Sequence, residues 1–204
     1  MIDPLLAAAQ AVNLWEATAV VLAVAYLLLA VRQNILCWPA ALVSTTIFLF
    51  VFASARLYME SGLQLFYMVM AIYGWHQWTR GGAGGAGVRV SVWPVRRHLY
   101  VLVCVITASL ASGWWLSGWT DAELPYLDSF TTWASLVATF MIARKVLENW
   151  LYWFVIDALN IYLYLSRELY LTALLFGAYL VIIVFGYIAW RRDLVRREFA
   201  QATA

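Results

Sequence analysis

The sequence predicts an all-α integral membrane protein in which seven transmembrane helices form two parallel three-helix bundles joined by a linking helix. Three observations lead there. The chain is 204 residues long, 65% hydrophobic and 12% charged, with a mean hydropathy of +0.80, whereas soluble domains are roughly half apolar and about a quarter charged. Its apolar runs reach the roughly 18–22 residues that a helix needs to cross a bilayer. The segment Tyr67–Trp78 returns 112 residues later as Tyr179–Trp190, with Tyr, aromatic, Gly, aromatic and Trp in register.

Seven runs qualify as spans, at about residues 14–31, 35–55, 61–78, 98–116, 126–143, 149–166 and 169–190. Segment 1–13 lacks the basic start of a signal peptide, so the first run is expected to persist as a helix with its N-terminus outside. The second opens at Trp38-Pro39, a hinge candidate where proline in a first turn is tolerated. The third closes the first repeat, residues 14–78. Loop 79–97 contains the run Gly81–Gly87. Because that run follows a membrane helix instead of joining a strand to a helix, it reads as a flexible spacer and not a phosphate cradle. The fourth run, 98–116, is the linking helix. The fifth to seventh make the second repeat, 126–190, and 191–204 is a charged cytoplasmic tail expected as a frayed helix.

The repeats must be parallel. Three crossings leave the chain on the opposite face, and one further crossing starts the second copy in the direction of the first. A second pair, Asn34-x-x-x-Trp38 and Asn149-x-x-x-Trp153, lies 115 residues apart. Under that offset Asp157 answers to Leu42, and Pro39 to Phe154.

Charge sets the orientation. With the N-terminus outside, the inside segments hold Arg32, then Arg80, Arg89, Arg96 and Arg97, then Arg144 and Lys145, then Arg191, Arg192, Arg196 and Arg197. Only Arg56 and Arg167 fall outside, together with Asp121, Glu123 and Asp128, so the positive-inside rule gives N-out and C-in. Topology accounts for these basic residues, and no nucleic-acid partner is implied. Cys37 and Cys104 form no metal or redox motif and read as small buried side chains.

Chemistry concentrates on two helices. On the sixth, Asn149, Trp153 and Asp157 recur every four residues, and Asn160 and Tyr164 continue that face. A carboxylate in mid-span costs about 2.5–3.5 kcal/mol on insertion scales, so Asp157 must face a cavity or a partner. An interhelical hydrogen bond that only holds the bundle is the competing role. On the third helix, Gln64, Tyr67, Ala71, Trp75 and Trp78 form the matching stripe, against which stands the aromatic belt at the membrane interface. Trp93, Trp114, Trp115 and Trp119 are assigned to that belt, and His76 and His98 read as solvated interfacial histidines. Indoles beside a carboxylate suit a flat, cationic or electron-poor ring, and the amides suit sugar hydroxyls or an amide. No nucleophile–base pair, metal-ligand spacing or nucleotide motif is present, so neither an enzyme nor a cofactor is expected.

Four stretches carry a resemblance: Asn34-x-x-x-Trp38-Pro39, Tyr73-Gly74-Trp75-x-x-Trp78, Asp128-Ser129, and Arg144-Lys145-x-x-Glu148-Asn149-Trp150-Leu151-x-Trp153-x-x-x-Asp157. With these the chain resembles PnuC-type vitamin transporters over nearly its whole length. The resemblance implies a fold like full-length SWEET-type carriers (3+1+3) in the bacterial inner membrane. It implies a midplane site between the bundles, lined by Trp75, Trp78, Asn149, Trp153 and Asp157. It implies facilitated diffusion of nicotinamide riboside, with phosphorylation inside trapping the vitamin, and a homotrimer. Related members carry thiamine or riboflavin, and thiamine shares a cationic aromatic ring with nicotinamide riboside. Outside transport, the alternative is a receptor or scaffold module whose aromatic stripes only pack helices.

Overall fold

The computed structural model describes residues 14–54, 58–119, 124–166 and 170–202. Among these residues there are seven α-helices: α1 (Leu14–Val31), α2 (Cys37–Ser54), α3 (Tyr58–Arg80), α4 (Val95–Trp119), α5 (Pro125–Ala143), α6 (Asn149–Ser166) and α7 (Tyr170–Ala202). Segment 1–13, and the Arg56, Asp121, Glu123 and Arg167 of the orientation argument, lie outside the described residues. The charged tail is no separate element, since α7 runs unbroken through it, with Arg197 Nε donating to Asp193 Oδ1 at 3.1 Å one turn away.

Three helices are by themselves long and apolar enough to cross a membrane: Cys37–Ser54, Val95–Trp119 and Thr172–Ala202, with Ala17–Val31 a shorter apolar helix. Helices α3, α5 and α6 are diluted by polar side chains. Many of these are buried: Gln64 on α3, Ser129, Thr131, Ser135 and Thr139 on α5, and Asn149 and Asp157 on α6. Polar groups turned inward are what a membrane helix tolerates, because lipid cannot satisfy them.

Contacts divide the chain into two compact units, Met1–Arg89 with Ala143–Lys145, and Val90–Ile142 with Val146–Ala204. In the first, α1 packs on α2 and α2 on α3. Ser44 Oγ donates to the Ala19 carbonyl at 2.8 Å and Ser61 Oγ to that of Leu49 at 3.1 Å, each crossing from one helix to the next. The second unit contains α4 to α7. Its core joins Val105 of α4, Ala134 and Ala138 of α5 and Ile156 of α6, with Tyr152 and Trp153 packed against it. The two alanines let the helices approach closely. Cys37 is buried as expected, whereas Cys104 is exposed on α4.

Each unit is built around one indole pair. In the first, Trp38 stands edge-on to Trp78, with centroids 5.3 Å apart and planes at 86°. Trp150 and Trp190 repeat this in the second at 5.3 Å and 88°. Gly74 lies against the ring of Trp38 and Gly186 against that of Trp150, where a Cβ would overlap the ring.

These equivalences correct the repeat register. Trp38 answers to Trp150, not Trp153, and one offset of 112 residues holds throughout. The turns ending α1 and α5 agree. Among the described residues, Gln33 (φ 53°) and Lys145 (φ 51°) are the non-glycine residues with positive φ, and Asn34 N donates to the Leu29 carbonyl as Val146 N does to that of Met141, both at 2.9 Å. Both are Schellman caps with a long side chain in the left-handed position, which costs about 1 kcal/mol relative to glycine. Under this register Asp157 answers to Thr45, Asn149 to Cys37, Trp153 to Ala41, Asn160 to Phe48 and Pro39 to Leu151.

The glycine-rich segment is also more ordered than a spacer. It forms a short 3₁₀ turn, Ala83–Gly85, with Gly82, Gly84, Gly85 and Gly87 at positive φ. Val88 N donates to the Gln77 carbonyl at 3.0 Å, and Gly87 sits against the Trp78 carbonyl where no Cβ fits. The glycines serve to fold the chain back over the end of α3.

Candidate functional site

The face of α6 that carries Asn149, Trp153, Asp157 and Asn160 is turned inward in the second unit. Asn149 is fully buried at the first turn. Its Nδ2 donates to the Val146 carbonyl at 2.6 Å, and its Oδ1 has no hydrogen-bond partner. Trp153 and Asn160 are half-buried, and Asp157 is 3% exposed. Among the described residues no side chain forms an ion pair or hydrogen bond with the Asp157 carboxylate. A buried acid and, two turns away on the same face, a buried amide oxygen without a hydrogen-bond partner cost stability unless a ligand or water completes them.

In the first unit the α3 stripe divides. Gln64 is buried and Tyr67 half-buried, with its ring 5.7 Å from Phe66. Trp75 is 41% exposed, so its indole is open to a ligand or to lipid. Trp78 is buried against Trp38, and the Lys145 ammonium lies 4.3 Å from its ring centroid. Beside it, Arg144 donates to Tyr73 Oη at 3.3 Å and to Gln77 Oε1 at 3.4 Å. Arg144 and Lys145, which group with the first unit, thus both contact the end of α3.

Sequence reasoning missed a second polar group. Loop residue Ser91 forms a parallel bridge with Val146, and Leu147 N donates to the Ser91 carbonyl at 2.8 Å. Glu148 Oε2 accepts the Trp93 N–H at 3.3 Å. His98 sits among these residues, with Nδ1 3.0 Å from Tyr152 Oη and Nε2 3.7 Å from Glu148 Oε1. So His98 is a partnered side chain instead of a solvated interfacial one, and Trp93, half-buried 5.7 Å from its ring, is more than a belt residue. Trp114, Trp115 and Trp119 are exposed, as a belt requires. The one available signal was Glu148, a charge directly before the Asn-x-x-x-Trp-x-x-x-Asp stripe.

The profile of a family described as nicotinamide mononucleotide transporter matches residues 13–192. The riboflavin/roseoflavin transporter RibM of Streptomyces davaonensis is 26% identical over 178 residues, 82% of this chain and 81% of that protein. The nicotinamide riboside transporter PnuC of Neisseria mucosa is 30% identical over 172 residues, 78% of this chain and 65% of its own. That of Escherichia coli is 24% identical over 158 residues, 65% and 66%. The chain therefore spans about two thirds of the length of these two relatives. The crystal structure of the vitamin B3 transporter PnuC superposes with a TM-score of 0.70 at 24% identity, covering 88% of this chain and 81% of that one, which shows a common fold.

Proposed function

The chain belongs to the nicotinamide mononucleotide transporter family, and from that premise we propose that this integral membrane transporter carries nicotinamide riboside across the bacterial inner membrane by facilitated diffusion. Family membership makes it a transporter and not an enzyme. The observation that carries the substrate is Asp157: a buried carboxylate to which no described side chain gives a hydrogen bond or an ion pair, one turn beyond the half-buried indole of Trp153. A pyridinium ring supplies the missing cation and a flat face for the indole, and its ribose hydroxyls suit Asn149 and Asn160. From the first unit, Gln64, Tyr67, Trp75 and Trp78 are the residues assigned to substrate. Seven crossings in a 3+1+3 order, N-out and C-in, belong to the same reading, supported by the basic loops and the 112-residue repeat. So do trapping by intracellular phosphorylation and a homotrimer, which light scattering of the purified protein tests.

A second reading rests on the RibM relative, of which the match covers 81%. Riboflavin has a neutral ring that does not call for a carboxylate, so Asp157 favours a cationic vitamin. Thiamine is cationic too, and the competition is decided by calorimetry of purified protein with nicotinamide riboside, thiamine and riboflavin. Nicotinamide riboside is expected to bind tightest. Proteoliposomes should then equilibrate the labelled compound without ATP or an ion gradient, and uptake that disappears when the proton or sodium gradient is collapsed excludes uniport.

A further inference from the structure

We propose that His98, Glu148 and Tyr152 are positioning residues, a clamp that fixes the start of α6 and with it the face that meets substrate. The proposal rests on the assignment of Asn149, Trp153 and Asp157 to that face. Glu148 is where α6 is tied down. Its carbonyl accepts the first helical bonds, from Leu151 N at 3.0 Å and Tyr152 N at 3.2 Å. Its carboxylate lies at the helix N-terminus, where negative charge is favoured, and holds the loop through the Trp93 N–H at 3.3 Å. Asn149 follows directly, and Tyr152 precedes Trp153, so a small rotation at this point moves every residue of the face.

His98 joins the two ends of the clamp from the first turn of α4. With its proton on Nε2, that N–H faces the Glu148 carboxylate while Nδ1 accepts the Tyr152 hydroxyl. At 3.7 Å the contact with Glu148 is too long for a hydrogen bond, and Nε2 is buried without another partner. Among the described residues the groups facing the imidazole are Glu148 from the turn, Tyr152 from α6 and the Trp93 ring from the loop, with the Arg97 guanidinium on that ring at 5.0 Å from its centroid. These contacts tie the first turn of α4, the loop and the first turn of α6 together at one point.

Two measurements on the purified full chain, both at one fixed pH, test this. The first uses no substrate. The thermal midpoint in detergent should fall by several degrees in His98→Phe and in Glu148→Gln, and the double variant should fall no further than the lower single. Singles that melt as the wild type does, or effects that add, overturn the clamp. The second is the Kd for labelled nicotinamide riboside, which should weaken about threefold to tenfold in each single variant and no further in the double, whereas Arg197→Gln, which breaks an ion pair in the tail of α7, leaves it unchanged. A Kd in His98→Phe equal to that of the wild type overturns the positioning role. If the wild type fails to bind nicotinamide riboside at any pH, the substrate reading fails, and the thermal measurement still decides the clamp.

Discussion

At the scale of single residues, the repeat now identifies which side chains departed from the shared pattern. Asp157 stands where the first copy has Thr45, Asn149 where it has Cys37, and Trp153 where it has Ala41. A duplicated framework tolerates the apolar or hydroxyl version at each point, so the second copy carries these groups for a reason other than folding. Asp157→Thr, which installs the first copy's residue, should keep the protein folded and raise its thermal midpoint, since it removes a buried acid without a partner. Binding of nicotinamide riboside should fall at least ~tenfold, the value of one charge-assisted contact. Calorimetry and a melting curve on the same sample check both parts, and an unchanged Kd removes Asp157 from the site. The polar stripe of α6 was legible in the sequence, because four-residue spacing is local and a mid-span acid is conspicuous. The difference between Trp75 and Trp78 was not, because exposure depends on which helix lies opposite.

At the scale of elements, the helices were legible and their registration was not. Apolar runs placed all seven helices to within a few residues, apart from the extension of α7 through the charged tail, where helix propensity persists after hydropathy ends. The two Asn-x-x-x-Trp strings matched by coincidence at 115 residues. Close approach of Gly74 to Trp38 and of Gly186 to Trp150 fixes the offset at 112, and that is a contact between helices far apart in sequence. Long-range contacts likewise assemble His98, Trp93 and Glu148, which share no local pattern. The glycine notches make a prediction. Gly186→Ala forces a methyl against a fully buried indole, and overpacking of this kind costs about 1–3 kcal/mol. The variant should melt several degrees lower, with Gly74→Ala behaving alike, and wild-type melting in either variant contradicts the packing described.

At the scale of the whole molecule, the basic residues decide orientation. On the proposed N-out, C-in topology the turns holding Arg32 and Arg144–Lys145 and the loop after α3 all lie on the cytoplasmic side. A single cysteine at Ala202, in a background without Cys37 and Cys104, should react with a membrane-impermeant maleimide only after cells are opened. Labelling of intact cells reverses the assigned topology.

The matched indole pairs have a spectroscopic consequence. Two rings held 5.3 Å apart at nearly right angles act as one coupled chromophore, and the described residues hold two of almost identical geometry, one in each unit. Other indoles, the stacked Trp115 and Trp119 among them, absorb in the same band, so each pair's own signal is the near-ultraviolet circular dichroism lost when it is broken. The difference lost with Trp150→Phe and that lost with Trp38→Phe, followed through unfolding, give the order in which the two units lose structure.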